Sequence, residues 1–441
     1  MPVRANHTRG KTRELQRALY RAAKASATRR FHALFDKVYR EDILHRAWRE
    51  VKANAGAAGV DGQTISDIEQ RGVDQFLAAL AADVRQGKYR PRPVRRVFIP
   101  KADGKQRPLG IPTVRDRVAQ AAAKVVLEPI FEANFRDCSY GFRPRRSAHQ
   151  AMGVIRSAVN RGANWVVDAD ITAFFDQVDS AVLMKLVGKR VNDQRMLKLI
   201  RQWLAAGVMV GDEFNPSEQG VPQGSVISPL LANVVLHELD RLWENHCRGL
   251  GQLVRYCDDL VILCKTEGQA CEGLRRVGLA LDRLGLSLHP DKTRVVFVGD
   301  GSDGFDFLGF HCHKVESWRR PGRRFLLMWP GRRAMERVRE RIKAITAPRP
   351  RLVEPLQHLT AELNLVLRGW GAYFRVGAAS RQFAQIDRYV HERLALFLSK
   401  KTRRSGRNWK GRYTSAFFQG LGVYRLSGTT TWRTAAPTAT R

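Results

Sequence analysis

The stretch Val254 to Leu263, VRYCDDLVIL, sets the reading of everything around it. Apolar and β-branched residues on both sides make Leu253 to Cys264 a strand, a turn and a second strand. Its middle, Tyr256-Cys257-Asp258-Asp259, places two acids where an apolar hairpin has no structural need of charge. Upstream, Trp165 to Ile171 reads as a buried strand ending in a third carboxylate, Asp170. Carboxylates on two strand ends could converge on a pair of Mg²⁺ ions, which take oxygen ligands. Two such ions roughly 3.5–4 Å apart serve in-line displacement at phosphorus. Spacing alone leaves this open, because aspartate is also a common turn residue.

Outward from these strands, Val118 to Phe135 carries apolar residues at helical spacing, and Asp179-Ser180 offers an N-cap for a helix over Ala181 to Val187. Val94 to Pro112 reads as a hairpin, with Asp103-Gly104 in its turn and Lys101, Lys105 and Arg107 around its tip. Before it come a glycine-marked turn at Gly56 to Gly62 and a helix near Val73 to Gln86. Past Pro330 the pattern becomes helical: Met335, Val338, Ile342 and Ile345 form one stripe, and Leu356, Leu359, Leu363, Val366, Trp370 and Tyr373 another. Helices punctuated by a few apolar strands, with no βαβ repeat, predict an α+β fold with a small antiparallel sheet.

The chain has 441 residues, 44% of them hydrophobic, enough for two or three domains. Its 76 Lys and Arg against 42 Asp and Glu give a net charge of +34, which points to an extended polyanion as partner. Residues 319–441 hold 27 basic and 6 acidic residues, a surplus of +21, so the last third reads as a nucleic-acid grip. No signal peptide and no run of about 18 apolar residues is present, so neither secretion nor membrane spanning is expected. The six cysteines form no C-x-x-C pair and read as reduced cytosolic thiols. His311-Cys312-His313 is expected to be structural, two histidines on one strand face lacking further ligands.

VRYCDDLVIL resembles the Tyr-x-Asp-Asp hairpin of reverse transcriptases, and Val167 to Asp176, VDADITAFFD, resembles their motif A. Gln219 to Asn233, QGVPQGSVISPLLAN, is similar to motif B, Leu284 to Lys292, LGLSLHPDK, to motif D, and Phe307-Leu308-Gly309-Phe310 to the primer grip. Within that family the flavour is that of group II intron-encoded proteins. Ile99 to Thr113, IPKADGKQRPLGIPT, and Tyr140 to Ala148, YGFRPRRSA, resemble theirs, and Gly369 to Phe374, GWGAYF, resembles their maturase domain. The likeness runs from about Gly56 to Arg425. It departs at Cys257, where alanine is usual, and in lacking the paired C-x-x-C motifs of an HNH endonuclease after residue 400.

The resemblance implies an RNA-directed DNA polymerase with a right-hand architecture. Residues 1–90 would be an N-terminal extension, 91–318 fingers and palm, 319–400 a helical thumb or maturase domain, and 401–441 a basic DNA-binding tail. Asp170, Asp258 and Asp259 would hold two Mg²⁺ ions. Lys292 would protonate the leaving pyrophosphate, or simply pair with an acid. Lys101 and Arg107 would grip the dNTP triphosphate, Phe175 would exclude a ribose 2′-OH, and Gln223 would line the nucleotide pocket, with Gly224 letting backbone approach the base or sugar. Trp370, Tyr373 and Phe374 are expected in the core. Expected partners are group II intron RNA, an RNA template, a DNA primer or target, and dNTPs, in a bacterial cytoplasm and at its nucleoid. Two other readings stay open on sequence: an RNA-binding splicing factor without catalysis, and a reverse transcriptase serving defence or CRISPR spacer acquisition.

Overall fold

A computed structural model of the chain describes residues 3–100, 106–211, 213–215, 224–402 and 413–431. The chain opens with helices α1 (Val3–Ala25), α2 (Phe35–Val38), α3 (Glu41–Ala53), α4 (Ile65–Arg71) and α5 (Val73–Arg85). Helix α3 turns Ile43, Leu44, Ala47, Trp48 and Val51 inward, one apolar stripe of an amphipathic helix. Thr64 and Asp67 form a reciprocal capping box that starts α4. The glycine turn lies against the entry to α6 (Val114–Glu132), where a Cβ on Gly59 would stand 2.6 Å from the Thr113 nitrogen. Only glycine permits that approach.

The remaining elements are, in chain order, β1 (Val94–Pro100) and β2 (Gln106–Ile111) before α6, then α7 (Ala148–Asn160), β3 (Trp165–Asp170), α8 (Phe174–Gln177), α9 (Ser180–Gly188), α10 (Gln194–Leu204), β4 (Val208–Val210), β5 (Glu213–Asn215), α11 (Ser228–His246), β6 (Gln252–Tyr256), β7 (Asp259–Cys264), α12 (Glu267–Asp282), β8 (Arg294–Phe297), β9 (Gly304–Phe307), β10 (Phe310–Ser317), β11 (Arg320–Pro330), α13 (Arg332–Thr346), α14 (Leu356–Phe374) and α15 (Ser380–Lys401). Among the described residues the strands form three small sheets, ordered β2-β1-β4-β5, β6-β7-β3-β8 and β11-β10-β9. The α+β fold is as expected. Pairing is antiparallel between β1 and β2, but β1 also pairs parallel with β4. Asp179 caps α9, its carboxylate accepting from the Ala181 and Val182 nitrogens.

Two compact units divide the chain: Met1–Ser147, Ala169–Ile262 and Gly268–Arg294 form the first, and Ala148–Asp168, Leu263–Glu267 and Val295–Arg441 the second. In the second, α13 buries Met335, Val338, Ile342 and Ile345, the stripe read from sequence. Helix α14 buries Leu359, Leu363, Leu367, Gly371 and Phe374, so beyond Leu363 the inward face drifts one position from the expected one. A strict alternation of three and four averages 3.5 residues per turn, whereas a straight helix needs 3.6 and slips a position within a few turns. Val366, Trp370 and Tyr373 therefore flank the core half-buried.

The boundary expected at 318/319 falls at the tip of hairpin β10–β11. Of the segment expected as a tail, the stretch 413–431 packs. A short helix, Ser415–Gly420, buries Phe418, and beyond it Leu426 and Ser427 donate their backbone N–H groups to the Asp387 carboxylate of α15, both at 2.9 Å. All six cysteines are free. His311 and His313 stack beside each other and against Trp329, with His311 Nδ1 2.7 Å from Asp306 Oδ1, a packed structural arrangement.

Candidate active site

The Tyr-x-Asp-Asp turn joins β6 to β7 through Cys257 and Asp258. Cys257 adopts φ 58°, the left-handed conformation that tight hairpin turns require at this position. Its side chain is buried, and that burial, with Asp258 alongside, pushes the thiol well above its ordinary range. It therefore stays neutral and fills the place of a small apolar residue. Asp258 is half-buried and Asp259 exposed, so both acids remain open to solvent.

What holds this turn is Arg255, fully buried two residues earlier. Its guanidinium grips Asp240 of α11 at both oxygens, Nε to Oδ1 at 2.7 Å and Nη2 to Oδ2 at 2.5 Å. The remaining donors reach Ser139 Oγ at 2.9 Å, Asn233 Oδ1 at 3.1 Å and the Cys257 carbonyl at 2.9 Å. A buried charge is tolerable only when paired and hydrogen-bonded, as here. The backbone of Cys138 to Tyr140 runs beside β6, with Tyr140 N donating to Arg255 O and Arg255 N to Cys138 O, each 2.8 Å. Asn233 Nδ2 ties in the Gly141 carbonyl at 2.9 Å, and a Cβ on Gly141 would stand 2.5 Å from the Cys257 nitrogen. Tyr140-Gly141 thus forms the bed on which the turn rests. Sequence reading passed over Arg255, Asp240, Asn233 and Gly141. The available signal was an arginine inside a strand that is otherwise apolar.

Asp170 ends β3, the sheet neighbour of β7. Its carbonyl accepts from His289 N at 2.8 Å, while Thr172 N donates to Ser287 O at 2.9 Å, so the motif D segment pairs with the end of motif A. That docking brings the 3₁₀ turn Pro290–Lys292 to the site, where Lys292 Nζ lies 2.6 Å from Asp170 Oδ2. Lys292 pairs with the acid, one of the two roles expected for it. Ala173, at φ 39°, turns the chain into α8, which buries Phe174 and leaves Phe175 half-exposed against it, ring centroids 5.3 Å apart.

Arg107 lies in β2 opposite Ile99. Lys101 and Gln223 lie outside the described residues. Gly224, at φ 102°, lies within motif B, and a Cβ there would stand 2.3 Å from the Gly110 carbonyl. Its missing side chain makes room for the protein's own strand β2. Gln120 of α6 fastens the following segment, accepting from Val226 N at 2.9 Å. Asp170 and Asp259 thus stand on adjoining strands with Asp258 in the turn before β7, yet among the described residues no group of three acids, histidines or cysteines is already gathered to hold an ion.

In the second unit the Phe307 to Phe310 motif is a two-residue turn between β9 and β10, Leu308 at φ 50° and Gly309 at φ 80°. The GWGAYF segment clamps it: Tyr373 Oη donates to Leu308 O at 2.9 Å, and Phe310 packs on Phe374 with ring centroids 4.8 Å apart. Phe374 is core, as expected, and Trp370 and Tyr373 stack along its edge.

Comparison with known proteins gives this arrangement its context. A reverse transcriptase (RNA-dependent DNA polymerase) family model matches residues 99–312, and a group II intron, maturase-specific domain matches residues 335–414. Protein YkfC of Escherichia coli (strain K12) is 35% identical over 343 residues, covering 69% of this chain and 89% of that protein. Group II intron-encoded protein LtrA of Lactococcus lactis subsp. cremoris is 38% identical over 214 residues, 48% of this chain but only 35% of LtrA. A solved partial Cas6-RT-Cas1--Cas2 complex aligns at 28% identity and TM-score 0.35, over 56% of this chain and 42% of that one. The chain belongs to the reverse transcriptases of the group II intron-encoded kind. It is an RNA-directed DNA polymerase joined to a maturase-specific domain. The family's reverse transcriptase domains work with divalent metal ions, and its group II intron members bind intron RNA.

Proposed function

We propose that this chain extends a DNA primer on an RNA template, with Asp170, Asp258 and Asp259 as the metal-holding acids. The observation that carries this is Asp170 and Asp259 on neighbouring strands, with Lys292 paired to Asp170. The donor set fits Mg²⁺: carboxylate oxygens only, on side chains open to solvent. When bound, the ions supply Lewis-acid stabilisation of charge at the attacking and leaving oxygens. The primer 3′-oxygen attacks the α-phosphorus of a dNTP, the bond to the β-phosphate oxygen breaks, and pyrophosphate leaves. Phe175, half-exposed five residues after Asp170, would crowd a ribose 2′-OH. Lys292, held beside Asp170, is the proton source for the pyrophosphate. Lys101 and Arg107 grip the triphosphate, and Gln223 lines the nucleotide pocket. Asp258→Ala should cut primer extension by at least about 10³-fold, roughly 4 kcal/mol of transition-state stabilisation. Undiminished extension would contradict the assignment.

A second activity is favoured by the maturase-specific match at 335–414 and the +21 charge of residues 319–441: binding of group II intron RNA to promote its splicing. Residues 1–90 form an N-terminal extension, 91–318 fingers and palm, 319–400 the thumb or maturase domain and 401–441 a DNA-contacting end. Among the described residues no helix is long and apolar enough to cross a membrane. The chain works in the bacterial cytoplasm and at the nucleoid. An Asp258→Ala, Asp259→Ala variant should splice as well as wild type while failing to extend. Equal loss of both activities would tie splicing to the polymerase centre and defeat the separation.

A further inference from the structure

Hairpin β10–β11 carries a feature that neither polymerisation nor the maturase match accounts for. Its inner part is anchored: Phe310, Cys312, Lys314, Leu326, Met328 and Pro330 are buried. Lys314 Nζ reaches Asn164 Oδ1 at 2.6 Å, and Leu326 N donates to Asn160 Oδ1 at 2.8 Å. Beyond the Lys314–Leu326 pair the two strands run on, and Glu316 to Arg324 buries no side chain. At about 3.3 Å per residue the arm reaches roughly 10 Å past its anchor.

The tip reads Ser317-Trp318-Arg319-Arg320-Pro321-Gly322-Arg323-Arg324, four arginines around one tryptophan. Trp318 is 82% exposed, while every other tryptophan among the described residues is buried or half-buried. The Arg319 guanidinium lies 4.7 Å from its ring centroid, covering one face. The turn is held by its own bonds, Gly322 N to Glu316 Oε1 at 2.8 Å and Arg320 N to Ser317 Oγ at 3.2 Å, with Gly322 at φ 81°. Glu316 is thereby engaged in shaping the loop, and it is the only acid of the arm.

A projecting two-stranded arm gains no burial for its apolar tip, so a solvent-exposed indole there stabilises nothing in the folded chain. An indole with one face capped by guanidinium and the other open is a stacking platform for a flat π-system. The arginines that follow it at the tip match phosphates spaced along a strand. Bases within a duplex offer no free face, whereas unpaired bases do.

We propose that the tip of β10–β11 is a binding site for single-stranded nucleic acid, one unpaired base stacking on Trp318 and flanking phosphates pairing with Arg320, Arg323 and Arg324. An RNA loop and a DNA single strand present the same chemistry. The inference rests on the reading that the chain handles nucleic acid.

The test is 254-nm crosslinking of the full-length protein to a short uridine-rich RNA strand, to its DNA counterpart and to the same sequence as a blunt duplex. Peptide mapping and binding titrations of wild type, Trp318→Ala and Trp318→Phe accompany it. The expected result is an adduct on the Trp318 peptide with single strands only. Affinity for them should drop about 5- to 30-fold in Trp318→Ala and stay within about twofold in Trp318→Phe, the size of one base stack. The strand giving the stronger adduct identifies the source. No adduct and unchanged affinity would overturn the proposal. So would equal loss on the duplex, which would mean phosphate contact alone. Wild-type primer extension run alongside keeps the two readings apart: extension without an adduct removes only the tip site, and absence of both removes the polymerase reading too.

Discussion

The Arg255 side chain has no exposed surface and makes five hydrogen bonds, two of them to Asp240, and one of the rest holds the carbonyl of the residue before Asp258. Removing the arginine alone strands a buried carboxylate, so Arg255→Leu should destabilise the chain by about 3–5 kcal/mol. Replacing both partners, Arg255→Leu with Asp240→Leu, should return most of that stability, seen in the denaturant midpoint. It should leave extension at least about tenfold slow, because Cys257 still lacks its donor. A double variant that regained full rate would show that the arginine does not position the turn. His237, on the same helix as Asp240, packs on Phe135 and is half-buried. Burial lowers its pKa to about 4, with Asp240 and Glu238 opposing and Arg136 and Arg255 adding to the drop. An unfolded histidine titrates near 6.5, so from pH 6.5 down toward 4 the unfolded state gains the proton first. Stability then falls by up to about 3 kcal/mol, while above pH 6.5 the contribution is flat. Thermal melts of wild type between pH 7 and 5 should therefore slope more steeply than those of His237→Gln. Identical slopes would remove His237 from the account.

Two turns show how neighbouring elements carry a site. A Gly141→Ala side chain would press on the Cys257 backbone, and backbone yields less readily than the end of a flexible side chain. Extension should drop by an order of magnitude or more, with Tm shifted by only a few degrees. Retention of full activity would show that the turn does not depend on this bed. Tyr373→Phe removes one hydrogen bond to the Leu308 carbonyl, worth about 1 kcal/mol, and should lower the denaturant midpoint accordingly with the rings still packed. An unchanged midpoint would show that the clamp is made by ring packing. The strands bearing the acids, the Asp179 cap and the Met335 to Ile345 stripe were legible because each follows from local periodicity or a capping side chain. The parallel β1–β4 pair, the Arg255 cluster and the hold of Tyr373 on the primer-grip turn were not. Each depends on residues far apart in the chain, and no window of sequence encodes who meets whom. Lys292 lies between the two cases: its sign and motif were readable, while its pairing with Asp170 follows from backbone bonds between motifs A and D.

For the molecule as a whole, charge and motif order decide most. A net charge of +34 makes binding of intron RNA a matter of counterion release, so affinity should fall about 10³-fold or more between 50 and 200 mM salt. A slope near zero would mean that few phosphates are neutralised. The polymerase class was legible because several short motifs lie in one order along the chain, and the two family matches follow that order. Which side chains of the nucleotide pocket meet the substrate was less so, since loop contacts depend on chain approach, as Gly224 against Gly110 shows. The most direct test of the central claim is Mg²⁺-dependent extension of a DNA primer on an RNA template, wild type beside Asp258→Ala. Extension by wild type and its loss in the variant is the predicted result. A folded, RNA-binding wild type that adds no nucleotide, or a variant that extends like wild type, would contradict it.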